Sequence, residues 1–80
     1  MQIQVRLFAT LARHLPAGSD GRTASVCVPE GTKIAQVLDR LGVPPKLAKL
    51  TFVDSVHRDP DFVLSEGNTV SVFPPIAGGT

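Results

Sequence analysis

The sequence predicts an α+β domain, a small mixed sheet packed on one main helix. Two observations carry this. Apolar residues alternate with polar ones in several short runs, the period of half-buried strands. Only "PEGTKIAQVLDRLG" carries a long apolar stripe at helical spacing, and its apolar face has nowhere to hide except against the sheet. With 80 residues, 42% hydrophobic and 19% charged, the chain suits one globular unit, residues 1–80, with an adequate but small core. No repeat, linker or second domain shows.

The elements follow in order. "QIQVRL" places Ile3, Val5 and Leu7 on one side and Gln2, Gln4 and Arg6 on the other, so it reads as a strand buried on one face. In "FATLARHL" the period changes: Phe8, Leu11, Ala12 and Leu15 fit a short helical face, stopped by Pro16 and Gly18. "AGSDGR" reads as a turn or loose loop. "TASVCV" alternates again, with Ala24, Val26 and Val28 inward and Thr23, Ser25 and Cys27 outward. The short connection suggests antiparallel pairing of these two strands.

In the main helix, Thr32 is the expected N-cap. Ile34, Val37, Leu38 and Leu41 form the apolar stripe, and Gly42 supplies a left-handed end. Pro44 and Pro45 forbid continuation. "KLAKLTFVDS" leads into a third strand with Leu50 and Val53 inward. "RDPD" is turn chemistry, "FVLSEG" a short edge piece, and "NTVSVF" a last strand with Val70 and Val72 inward. Pro74 lacks the donor needed to extend the sheet.

Function classes narrow by exclusion. The net charge of +1 is scattered, with no basic stripe and no interleaved aromatics, so nucleic acid is not an expected partner. No apolar run approaches the ~20 residues of a membrane span, and the N-terminus lacks the pattern of a signal or transit peptide. A single cysteine forms no internal disulfide, which suits a cytoplasmic location. His14 and His57 are not spaced as metal ligands, so no metal is expected and both read as surface residues. Cys27 has no basic neighbour in sequence to activate it. Asp59 and Asp61 flank Pro60 as a turn would. "PEGTKI" and "SEGNTV" lack the glycine spacing of a phosphate loop. Nothing within the domain reads as a catalyst.

The end "VSVFPPIAGGT" stands apart. Pro74 and Pro75 stiffen the exit from the last strand. Ile76, Ala77, Gly78 and Gly79 then taper to bare backbone, about 13–14 Å when extended. Glycine lacks the β-carbon that would meet the walls of a narrow channel and takes any backbone angle a partner demands. From about residue 75 to residue 80, the chain reads as a flexible tail able to place a carboxylate inside another protein. Phe52 and Phe73 are candidate patch residues for such a partner.

Three stretches carry a family resemblance: "VRLFATLARHL", "VPEGTKIAQVLDRLG" and "LSEGNTVSVFPPIAGG". Through them the chain resembles the ubiquitin-like sulfur carriers of the MoaD/ThiS family over essentially its whole length. The double proline is similar to the branch of the molybdopterin synthase small subunit (molybdopterin-converting factor subunit 1). The resemblance implies a β-grasp fold and a protein co-substrate rather than an enzyme. An ubiquitin-activating-like adenylyltransferase would use ATP to adenylylate Gly79, and a sulfur donor would then leave a thiocarboxylate there. The tail would enter the large synthase subunit, or an equivalent sulfur acceptor, to serve molybdopterin synthesis. Gly78 would be the clearance residue, Ile76 with Ala77 the threading segment, and Pro75 a further partner-binding residue. No cofactor is expected on the carrier itself.

Two departures from the family pattern stand out. Thr80 occupies the carboxylate of Gly79 with a peptide bond. Three readings stay open: a protease removes it, the domain is no sulfur donor, or the residue is foreign to the natural chain. Relatives with short extensions are matured by JAMM-type metalloproteases and serve other pathways, so thiamin, cysteine or methionine, and siderophore synthesis remain alternatives. So does a plain ubiquitin-like interaction module. The second departure is Asp54-Ser55, where the family often has Asn-Gly in a turn.

Overall fold

The computed structural model describes residues 1–15 and 21–75. Five strands form one sheet: β1 (Gln2–Leu7), β2 (Thr23–Cys27), β3 (Leu50–Val53), β4 (Val56–His57) and β5 (Thr69–Phe73). Their order is β2-β1-β5-β3-β4. β1 and β5 run parallel, and the remaining pairs are antiparallel. The helix α1 (Ile34–Leu41) covers one face. This is the small mixed sheet on one helix that the alternation and the single apolar stripe predict, in the β-grasp-like form that the family resemblance implies.

The core is the meeting of two periodicities. Ile3, Val5, Leu7, Val70 and Val72 from the central strands are fully buried, as are Ile34 and Val37 from the helix. Leu11, Val28, Val43 and Leu64 close its margins. The helix ends at Gly42, whose φ of 80° is the left-handed cap its sequence suggests.

Several expectations are corrected. Thr32 is not the N-cap; Lys33 is. The Thr32 hydroxyl instead donates to the Pro29 carbonyl at 2.6 Å, inside the preceding turn. The first helical donors are satisfied from elsewhere: Lys33 N–H by Gln36 Oε1 at 2.8 Å, Ile34 N–H by the Phe62 carbonyl and Ala35 N–H by the Pro60 carbonyl. The Asp-Pro-Asp turn therefore caps α1 through its backbone. Leu50 points outward and is 43% exposed, whereas Thr51 is 3% exposed. Strand alternation requires this, because Val53 inward forces Thr51 inward; the Thr51 hydroxyl is satisfied by the Arg58 carbonyl at 2.6 Å.

"FVLSEG" is no edge strand: its only ladder contact is a single bridge between Lys33 and Val63. The edge strand is β4, in which His57 is exposed as expected. Asp54 and Ser55 form its hairpin turn, with φ of 50° and 72°, the two positive values of a type I′ turn. Ala9–His14 is a 3-10 helix, not an α-helix, with Leu11 buried. His14 is half-buried beside Gly42, not a surface residue, and its Nε2 has no hydrogen-bond partner among the described residues. The stop at Pro16 and Gly18 lies outside the described residues.

Candidate functional site

The site begins where β5 ends. Strand β5 is paired on both sides, by β1 and by β3. Its last residues are pinned by two further bonds, from Phe8 N–H to the Val72 carbonyl at 3.2 Å and from Lys49 N–H to the Phe73 carbonyl at 2.9 Å. Pro74 is half-buried and Pro75 exposed. The expected reactive segment, Ile76, Ala77, Gly78, Gly79 and Thr80, lies outside the described residues. Its root is therefore the part with geometry.

At that root the outer face of the sheet carries an aromatic cluster. Inward Val70 and Val72 leave Phe73 outward, and inward Thr51 and Val53 leave Phe52 outward. Register places Phe52 opposite Ser71 and Leu50 opposite Phe73. The Phe52 and Phe73 rings meet edge to face at 5.7 Å. Both expected patch residues are thus brought together. A third aromatic, Phe8, lies stacked on Phe73 with ring centroids 4.3 Å apart and planes 8° from parallel. The Arg6 guanidinium sits 5.3 Å from the centre of the Phe8 ring, and His57 approaches Phe52 at 5.5 Å.

Phe8 is the residue that the helical reading of "FATLARHL" misplaces. The signal was present: Phe8 has the parity of Gln2, Gln4 and Arg6, the outward side of β1. The chain changes period one residue later, at Ala9, whose φ is 53°.

Arg6, Phe8, Phe52, Ser55, Ser71 and Phe73 line a shallow groove of about 310 Å³. Half-buried stacked rings, an exposed leucine and one cation make an amphipathic surface that a protein partner can cover. Among the described residues that line it there is no carboxylate and no cysteine. The described residues contain no group of three His, Cys, Asp or Glu able to hold a metal ion. They also contain no helix long and apolar enough to cross a membrane. Asp59 and Asp61 are exposed and frame the helix-capping turn.

The fold is that of a ubiquitin-like β-grasp domain. The ThiS family profile matches residues 5–79, and the chain belongs to that family of ubiquitin-like sulfur carriers. Its members are small carriers, generally not catalytic themselves, that act with activating enzymes and sulfur acceptors.

Among solved structures, SAMP1 from Haloferax volcanii is 24% identical with a TM-score of 0.71, covering 99% of this chain and 100% of that one. The Haloferax volcanii HVO 2177 protein is 24% identical at a TM-score of 0.76, covering 99% and 87%. A putative molybdopterin converting factor, subunit 1, from Pyrococcus furiosus is 20% identical at 0.67, covering 94% and 98%. These likenesses establish the shared fold. No curated protein matches at a significant level.

Proposed function

We propose that this chain is a cytoplasmic sulfur-carrier co-substrate whose Gly79 carboxylate, freed by removal of Thr80, is adenylylated and converted to a thiocarboxylate. The observation that carries the reading is the family match, which extends through Gly79 and leaves Thr80 outside. The chemistry assigns each partner a task. A carboxylate is a poor electrophile, so attack on the α-phosphate of ATP, with loss of pyrophosphate, gives it AMP as a leaving group. Hydrosulfide, HS⁻, supplied by the sulfur donor displaces AMP, and the resulting thiocarboxylate, having lost its proton, holds its sulfur as an anion ready to attack. The carrier supplies only the end group and the surface that brings it to its partners. Phe8, Phe52 and Phe73 form that surface, and Pro75 to Gly78 thread the channel.

The double proline favours molybdopterin synthesis as the destination, with the synthase large subunit as acceptor. Thr80 favours a second reading, a processed carrier serving another sulfur-requiring pathway.

Intact-mass measurement of the protein isolated from its native cells tests the proposal. The expected product has lost one threonine residue and gained one sulfur in place of one oxygen. A full-length, unmodified chain in sulfur-replete cells overturns it. Gly79→Val is expected to fold normally and accept no sulfur; transfer at the normal rate would remove Gly79 from the mechanism.

A further inference from the structure

The two edges of the sheet are not alike. β4 is two residues long and ends in turns, the usual way to blunt an edge. β2 is five residues long and carries no lysine, proline or other charge. Its hydrogen-bonding direction follows from its ladder with β1. Met1 and Val28 exchange bonds at 2.7 and 2.8 Å, and Leu7 N–H reaches the Arg22 carbonyl at 3.0 Å. Antiparallel pairs alternate between bonded and non-bonded. With the observed register, Ile3–Val26 and Val5–Ala24 are therefore the bonded pairs between those two. The N–H and C=O groups of Thr23, Ser25 and Cys27 consequently point away from β1, toward the edge that no described strand covers. Among the described residues only Arg40 Nη1 reaches any of them, the Cys27 carbonyl at 3.5 Å.

We propose that this edge pairs with β2 of a second copy of the chain, antiparallel about a two-fold axis at Ser25. In that register Ser25 faces the second Ser25, and Thr23 and Cys27 face each other twice. Every outward donor and acceptor of the strand then finds a partner, the Cys27 carbonyl exchanging or sharing its long 3.5 Å contact with Arg40 Nη1. The strand suits itself as an occupant for two reasons. A two-fold axis sets each side chain against a symmetry mate, and "TASVC" is uncharged, so no like charges are opposed. At each end, exposed Arg22 of one copy is set opposite Val28 of the other, with exposed Glu30 two residues along, a complementary diagonal pair. β1 separates β2 from β5, so the pairing leaves the aromatic groove and the root of the tail free. Because the axis reverses strand direction, the two tails leave from opposite ends of one continuous sheet.

Sedimentation equilibrium of the full chain over a hundredfold concentration range tests this. The weight-average mass is expected to rise from 8.5 kDa toward twice that value. Ser25→Lys and Ser25→Glu, each alone, place like charges face to face and are expected to remain monomeric. Mixed in equal amounts they are expected to associate again. Circular dichroism of each variant separates a lost edge contact from a lost fold. A wild-type mass that stays at the monomer value, or association that neither substitution weakens, overturns the proposal. The readout is mass alone, so it stands whether or not Gly79 carries sulfur.

Discussion

Phe8→Ala separates the fold from the docking surface. The ring is half-buried and stacked on Phe73. Burying half a phenylalanine contributes about 1 kcal/mol, and an offset aromatic pair roughly 0.5–1.5 kcal/mol more. The expected loss of stability is therefore about 2 kcal/mol. At roughly 4–8 °C per kcal/mol for a domain of this size, the midpoint falls by about 8–16 °C. A domain of this length has ~4–12 kcal/mol in hand, so the variant remains folded well below that midpoint. At the docking surface, truncating a central aromatic costs ~2 kcal/mol or more, about thirtyfold in affinity. Adenylylation of the chain ending at Gly79 by the cognate activating enzyme, followed by pyrophosphate exchange at a temperature where both proteins are folded, reads this directly. The apparent KM for the carrier should rise about thirtyfold with little change in kcat. Cys27→Ala, on the same outer face but at the far strand, should change neither quantity. An unchanged KM for folded Phe8→Ala would refute the assignment of the aromatic groove as a docking surface.

Other predictions follow from single features. Replacing Pro74 and Pro75 together by glycine frees about 0.4–1 kcal/mol of chain entropy per position. The KM for activation should rise roughly fourfold to thirtyfold, while the melting midpoint falls modestly because Pro74 is half-buried and the unfolded chain gains freedom; an unchanged KM would show that stiffness at the tail root is irrelevant. Ser55→Gly relieves a left-handed serine worth about 1–2 kcal/mol and returns part of that as unfolded-state entropy. A net gain of ~0.5 kcal/mol, or about 2–4 °C, is expected by calorimetry, and a lower midpoint would contradict the turn assignment. Ile34→Ala removes a side chain with no exposed surface and should cost about 2–5 kcal/mol in urea unfolding. A loss below 1 kcal/mol would mean that the helix is not seated as described.

The parts legible from sequence are those where local pattern and tertiary demand agree. β1, β2 and β5 alternate cleanly because each has one buried face, and α1 carries its stripe where the sheet needs it. The misreadings occur where a long-range partner decides. Thr32 has the chemistry of a cap, yet the Pro29 carbonyl claims its hydroxyl, while the loop at Pro60–Phe62 takes over the helix donors. Leu50 is apolar but lies out of phase with Val53. Buried Thr51 is tolerated only because Arg58, seven residues away, offers a carbonyl. β4 is two residues long, too short for any periodicity to register, and its turn uses Asp-Ser in place of the expected glycine. Phe8 sits at the change of period and takes its place from β1, which a helical count cannot show. The aromatic site was therefore readable in two of its three rings, and the third required the register of β1 against β5.

That third ring changes what the tail can do. Phe73 belongs both to the aromatic groove and to the strand end from which the tail leaves, so docking and threading share a residue. A partner that grips the groove holds the tail root at a fixed point, made firm by the Lys49 and Phe8 backbone bonds. Only the short run from Pro74 to Gly79 then separates that point from the proposed site of activation. The second event becomes intramolecular, and short linkers give effective concentrations in the millimolar range. Stiff prolines at the root reduce the states to be searched, and the small residues beyond remove steric conflict at the tip. Ile76 is the only bulky residue on the way, and its apolar side chain suits a channel wall rather than solvent. On the proposed function, the carrier would bring to its partner the proximity that a catalytic site would otherwise have to create.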